Sequence, residues 1–285
     1  MTEPQTFSRF WGKRCLGYFS WRRRRRFIHT PKVLDLITEF VLSEAPDLVA
    51  ITGDLVQLGS VEEIKEAASW LRQLSKETKV FVVPGNHDVY VKSSVKLIRE
   101  FWGPYIHLVD NSFPGVLRLG SVALIGLSSA YPAPFWSAAG MVKSEQLKRI
   151  RRIVAECGSQ FVCLLLHHPL ATDGVSRRKQ LKDVRKLQRE FLTLRANLIL
   201  HGHLHANKEY ELGSGLPVFC TASASSADKG SPASYRVIDF NSDKLGVEVS
   251  SVLKILDLDQ GVMRNENKID WRCDFAVAGS NGTSI

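Results

Sequence analysis

Four apolar runs in this chain stop abruptly at clusters of Asp, Asn and His. "DLVAITGD" (47–54) ends at Gly53-Asp54, and "VFVVPG" (80–85) runs into Asn86-His87-Asp88. "FVCLLL" (161–166) is followed by His167-His168-Pro169, and "NLIL" (197–200) by "HGHLH". The first two runs have the length and β-branched content of buried parallel strands. Between them Ser60 and Glu63 form a capping-box pattern, and Ile64, Ala67, Leu71 and Leu74 supply the apolar stripe of a helix. Strand, helix, strand is a βαβ unit, and a right-handed crossover places both strand C-termini on one edge. Sites of open α/β sheets are built on that edge. One such cluster is weak, because a lone His or Asp at a strand end is usually a satisfied turn residue. Four drawing on the same three residue types converge on one site.

Around this unit, Thr30-Pro31 signals a helix near 31–44 through an N-cap and a proline at the first helical position. Further strands are expected at 116–119, 122–126, 161–166, 197–200, 217–220, 235–240 and 246–252, and helices near 143–156 and 179–194. The early part is α/β and the last third mostly strands, so two sheets packed face to face with helices outside are expected in one domain. The chain divides into a basic aromatic N-terminal segment (1–30), a main domain (31–272) and a loose tail (273–285).

A length of 285 residues with 44% hydrophobic composition suits an ordinary globular domain with a substantial core. No apolar run approaches the roughly 20 residues that span a bilayer. No apolar h-region opens the chain, so a cytoplasmic setting is expected. Five scattered cysteines without a C-x-x-C pair exclude a disulfide framework and a thiolate zinc knuckle. The net charge of +9 is concentrated in "WRRRRR" at 21–26 with Arg9, Lys13 and Arg14 upstream. A solvated basic loop is the simplest reading of Arg22, Arg23, Arg24, Arg25 and Arg26. Interleaved Phe7, Phe10, Trp11, Tyr18, Phe19 and Trp21 add a possible peripheral membrane contact. Nucleic-acid binding ranks last, since regularly spaced stacking aromatics are missing.

Asp, Asn and His are oxygen and nitrogen ligands, which suit Mn, Fe, Zn or Ni better than a structural zinc. In an extended chain His203 and His205, two apart, point the same way. "ITGDLV", "VPGNHD", "LLLHHP" and "HGHLH", in that order over 51–205, resemble four successive blocks of the calcineurin-like metallophosphoesterase family. The resemblance implies a four-layer αββα sandwich of two mixed sheets flanked by helices. It also implies a site for two divalent metal ions, which hydrolyses a phosphomonoester or phosphodiester, soluble or lipid-linked, through a hydroxide shared by the ions. Carried over by position, Asp54 bridges the ions, Asn86, His167 and His203 complete the second ion's shell, and His205 binds the first. His87 stands near the leaving-group oxygen as acid or transition-state donor, and Asp88 holds its imidazole in the right tautomer. Gly53 and Gly85 allow tight turns and close backbone approach.

The family's first block, a strand followed by Asp-x-His, has no counterpart. Residues 1–30 contain no Asp and only His29. The first core strand and two ligands of the first ion are therefore expected to be missing. Either the natural start lies upstream, or the chain is a catalytically impaired member that holds one metal and a phosphate ligand. Gln57, where the family often carries Asp or Asn, is expected to tune the surroundings of the ligands. His168 reads as a turn residue, His201 as a weak site candidate, His29 and His107 as surface residues, and "PAPFW" (132–136) as a loop of the kind that shapes a pocket.

Overall fold

A computed structural model of the protein describes residues 13–134, 136–213 and 215–275. Strands β1 (Leu48–Ile51) and β2 (Lys79–Val82) pair in parallel from Leu48↔Lys79 to Ile51↔Val82, joined by helix α4 (Val61–Glu77). The expected capping box is formed: the Ser60 hydroxyl accepts from the Glu63 amide, and the Glu63 carboxylate accepts from the Ser60 amide. Helix α3 (Pro31–Ser43) starts as expected at Thr30, whose hydroxyl accepts from Val33 N.

A seven-stranded mixed sheet faces this unit. It comprises β3 (Leu108–Val109), β4 (Ser112–Leu119), β5 (Val122–Gly126), β6 (Phe161–Leu165), β7 (Leu198–His201), β8 (Lys208–Leu212) and β9 (Leu216–Cys220), in the order β3-β4-β5-β6-β7-β9-β8. Its centre, β5-β6-β7-β9, is parallel. The three strands β10 (Ser234–Ser242), β11 (Gly246–Asp257) and β12 (Val262–Asp274) make an antiparallel sheet.

Side-chain alternation divides the layers. Val80 and Val82 point to α4 and to α5 (Lys92–Ile106), where Ile64, Leu71, Ile98 and Trp102 are buried. Phe81 and Val83 point the other way and pack with Leu124, Phe161, Leu165, Phe219, Val247 and Val249 between the β layers. On the far side α6 (Ser144–Ala155) and α7 (Val184–Thr193) bury Ile150, Ile153, Leu187 and Phe191 against β5, β6 and β7. The expected αββα sandwich is thus present.

One of its β layers is split, because the parallel pair and the antiparallel triplet are separate sheets. Among the described residues β1 pairs with β2 alone, Ala50 is exposed, and the rest of β1 is half-buried. The buried parallel strand expected at 47–54 is therefore an edge strand.

The N-terminal basic segment is corrected as well. Helix α1 (Lys13–Ser20), a π-helical turn (Trp21–Arg25) and the short α2 (Arg26–Ile28) replace the solvated loop. Trp21 is buried, and Arg14 donates to Leu58 O at 3.2 Å and to Gly59 O at 2.6 Å. Gly17 sits so close to Tyr90 and Leu58 that an added Cβ would meet the Tyr90 hydroxyl at 2.5 Å. Arg22, Arg23 and Arg26 are exposed, whereas Arg25 turns inward. The side chain of Arg24, the aromatics Phe7, Phe10 and Trp11, Phe135 of the "PAPFW" loop and tail residues 276–285 lie outside what is described. Cys273 and Asp274, expected in the loose tail, belong to β12.

Candidate metal centre

The parallel strands end on one edge and hand over to loops that carry the ligand-type residues. These loops are tightly bent. Asp54 (φ 61°), His203 (φ 71°) and His205 (φ 53°) all occupy left-handed backbone that non-glycine residues seldom adopt. The extended spacing expected of His203 and His205 is therefore not what brings them to the site, because β7 stops at His201 and both residues sit in the bends beyond it. Gly53 (φ 96°) and Gly85 meet the close-approach expectation: a Cβ on Gly85 would lie 2.1 Å from Asp54 Oδ1.

His167 is the hub. Its Nδ1 donates to Thr52 O at 2.7 Å, which leaves Nε2 as the lone-pair nitrogen of the neutral ring. That nitrogen faces Asn86 Oδ1 at 3.2 Å, Asp54 Oδ2 at 3.3 Å and His203 Nδ1 at 3.1 Å. His203 Nε2, also buried, has no hydrogen-bond partner. Three electron-pair donors thus stand within 3.3 Å of His167 Nε2 in a mostly buried site. Atoms bound at about 2.0–2.2 Å to one divalent ion stand about 3.0–3.4 Å apart, and the three distances from His167 Nε2 lie in that range, while Asp54 does not close with both His167 and His203 into a mutual cluster, so an ion would draw Asp54 and His203 together. The charges agree: burial favours a neutral Asp54, but facing His167 and His87 its carboxyl is held well below the usual range. Burial pushes His167 down, and Asp54 more than offsets this and raises it, so with no cation present the ring favours a proton on Nε2 that a bound ion would displace. Burial and the neighbouring His167 push His203 far down, as a metal-binding imidazole requires.

His168 adjoins this cluster, with its ring 4.6 Å from that of His203, and its nitrogens lie within ligand distance of theirs. Both are already used, Nδ1 accepting from the Ser129 hydroxyl at 2.8 Å and Nε2 donating to Ala138 O at 3.1 Å. It is a buried packing partner.

Two expected roles change. Asp88 does not touch the His87 ring. Its carboxylate accepts from the amides of Asp54 (2.7 Å), Gly85 (2.7 Å) and Val56 (3.1 Å), tying the two strand-end loops together. Burial, reinforced by Asp54, pushes its pKa up to about 7. The His87 tautomer is set instead by Gln57, whose backbone carbonyl accepts from Nδ1 at 2.7 Å. Gln57 thus acts by its main chain, a contact its side-chain identity does not announce. Burial pushes His87 down to about 4, and its other nitrogen, Nε2, accepts from Arg25 Nη1 at 3.1 Å. His87 therefore has no free proton to offer a leaving group in this arrangement. Its backbone amide donates to Asp54 Oδ1 at 2.8 Å.

Of the first ion's residues, His205 lies at the exposed mouth, and among the described residues only His167, His168 and His203 form a ligand-grade cluster of three. His29, expected on the surface, is buried beside His205 with ring centroids 5.2 Å apart, and Ser223 and Ser225 hydroxyls stand 3.2 Å from its Nδ1. Burial pushes it down to about 4. His107, also expected on the surface, is half-buried, with Nε2 donating to Val80 O at 3.0 Å. His201 turns away from the site to Tyr210. Arg25 and His29 escaped sequence reasoning because they reach the site from a segment with no strand-end signal.

The calcineurin-like phosphoesterase family model matches residues 26–207, most of the chain, including Asp54, Asn86, His167 and His203. A protein of Arcobacter nitrofigilis named probable glycerophosphodiester phosphodiesterase GpdQ is 29% identical over 154 residues, 52% of this chain and 49% of that one. A probable cyclic nucleotide phosphodiesterase of Synechococcus is 28% identical over 211 residues, 70% of this chain and 74% of that one. The match thus spans about half of the first relative's length and about three-quarters of the second's. A dimetal phosphatase from Danio rerio shares the fold, with a TM-score of 0.59 at 13% identity, covering 85% of this chain and 89% of that one. With the sandwich, the strand-edge cluster and the family match in agreement, the chain belongs to the calcineurin-like phosphoesterase family.

Proposed function

We propose that this protein is a metal-dependent hydrolase of small phosphodiesters, with Asp54, Asn86, His167 and His203 holding a divalent ion. The observation that carries the reading is the convergence of Asp54 Oδ2, Asn86 Oδ1 and His203 Nδ1 on His167 Nε2 within 3.1–3.3 Å, beside the unpartnered His203 Nε2. A divalent ion bound there supplies Lewis-acid polarisation of a phosphoryl oxygen and an acidified water. Everything else falls to the chain. Thr52 O fixes the His167 ring with Nε2 inward, and Asp88 locks the loops after β1 and β2 so that Asp54 and Asn86 keep their separation. The amide oxygen of Asn86 adds a ligand without adding negative charge next to an anionic substrate. Relatives named as phosphodiesterases support a diester.

The test is hydrolysis of bis(p-nitrophenyl) phosphate and p-nitrophenyl phosphate with added Mn, together with metal content. Asp54→Asn and His203→Ala are each expected to lower turnover about 100-fold or more and to lower bound metal. Turnover unchanged in both variants would sink the reading. One ion bound without turnover would favour the impaired member that holds a metal and a phosphate ligand.

The setting belongs to the same reading. Among the described residues no helix is long and apolar enough to cross a membrane. Free Cys15, Cys157, Cys163, Cys220 and Cys273 support a reducing, cytoplasmic compartment. Exposed Arg22, Arg23 and Arg26, with Phe19 and Phe27 exposed among them, support peripheral contact with an anionic membrane. Salt-sensitive co-sedimentation with phosphatidylserine vesicles tests it, and no binding at low salt would remove it.

A further inference from the structure

Of the arginines in the 22–26 run whose side chains are described, one behaves unlike the rest. Arg22, Arg23 and Arg26 face solvent, while Arg25 is half-buried over the site. Its Nη1 lies 3.1 Å from His87 Nε2, 3.2 Å from His87 Nδ1 and 3.4 Å from Gln57 Oε1. These partners are neutral. Among the described residues no carboxylate makes an ion pair with Arg25, although Asp54 stands near enough to act on it electrostatically.

The segment that delivers Arg25 is held at both ends. Upstream, Arg14 grips Leu58 O and Gly59 O, and Trp21 is buried. Downstream, His29 N donates to Arg25 O at 2.9 Å, Ala227 N to Ile28 O at 2.7 Å and Thr30 N to Ser225 O at 3.0 Å. A cation fixed in this way, with only neutral acceptors and N–H groups to spare, is an anion receptor. It stands on the His87 and His205 side of Asp54, where no third carboxylate, imidazole or thiolate completes a second cluster among the described residues.

We propose that Arg25 is the second cation of this site: its guanidinium binds the substrate's phosphate oxygens opposite a single divalent ion held by Asp54, Asn86, His167 and His203. The inference rests on the phosphoesterase reading and makes the centre mononuclear, with a guanidinium completing the charge that faces the phosphate. His87 then acts as a positioning residue, its ring supporting the guanidinium and its tautomer held by Gln57 O.

The experiment uses the full chain, with Mn content measured after loading and dialysis, and with inorganic phosphate titrated calorimetrically into the Mn-loaded protein. Wild type and Arg25→Gln are both expected to hold one Mn per chain, and Arg25→Gln to bind phosphate about 10- to 100-fold more weakly. Arg25→Lys, which keeps charge but loses the planar fork, is expected to fall between them, and Arg22→Gln to bind as wild type does. Circular dichroism melting shows which variants are folded. Two Mn per chain in the wild type, with the second lost in His29→Ala, would overturn the proposal in favour of an ion held by His29, His205 and Asp54. Unchanged phosphate affinity in folded Arg25→Gln and Arg25→Lys would overturn it too. In both cases Mn-dependent hydrolysis by the wild type would keep the phosphoesterase reading standing, whereas no Mn bound and no hydrolysis would sink both.

Discussion

His201 separates a histidine that merely ends a strand from one that serves the site. It is buried, with Nδ1 donating to Gly202 O at 3.0 Å and Nε2 accepting from the Tyr210 hydroxyl at 2.9 Å, so both nitrogens are spent. Burial pushes its pKa down to about 4. In the unfolded chain it titrates near 6.5, so the unfolded state binds the proton first as pH falls. Its contribution is therefore fully present above about pH 6.5 and is lost progressively toward pH 4, by up to about 3 kcal/mol. Urea unfolding of the metal-free protein at pH 7.5 and pH 4.5 should show a smaller acid loss in His201→Gln than in the wild type. Identical pH profiles would refute the assignment. At this scale Asp54, Asn86, His167 and His203 were readable from sequence because each follows an apolar run. The partners that orient them, Thr52 O and the amides bonded by Asp88, are backbone groups that carry no letter of their own.

Among the elements, α4 shows how local rules and a distant loop meet in one side chain. Glu63 belongs to the capping box, yet its carboxylate also accepts from the amides of Gln57 (3.1 Å) and Leu58 (3.2 Å). It thus holds the loop whose Gln57 carbonyl sets the His87 tautomer. Ser60→Ala should cost about 1 kcal/mol, the ordinary value of an N-cap. Glu63→Ala, which strands three amides, should cost about 2–4 kcal/mol by chemical denaturation. Equal costs would mean that the loop bonds contribute nothing beyond the cap. α3 and α4 were legible because Thr30-Pro31 and Ser60-x-x-Glu63 announce their starts. α5 was not, since Val91 offers no side-chain cap and Pro104 stands inside the helix. β12 was missed because its residues are mostly exposed and polar, so pairing with β11, not burial, makes it a strand.

For the whole molecule, the split β layer has a dynamic consequence. Among the described residues β1 has one strand neighbour and an exposed Ala50, whereas β6 lies between β5 and β7 with every residue buried. Amides of β1 should exchange with deuterium much faster than those of β6, since openings of an edge strand break fewer contacts. Equal protection in native-state exchange would show that β1 is covered. The sequence by itself determined the βαβ unit, the αββα layering and the four strand-end clusters of Asp, Asn and His. Periodicity, capping residues and abrupt stops of apolar runs are local properties that act within a few residues. Only the tertiary structure decided which histidine nitrogens remain free, that Asp88 ties loops while Gln57 O orients His87, and that Arg25 and His29 enter the site. Those outcomes depend on which distant backbone groups arrive within about 3 Å of a side chain, and no pattern along the chain encodes that distance.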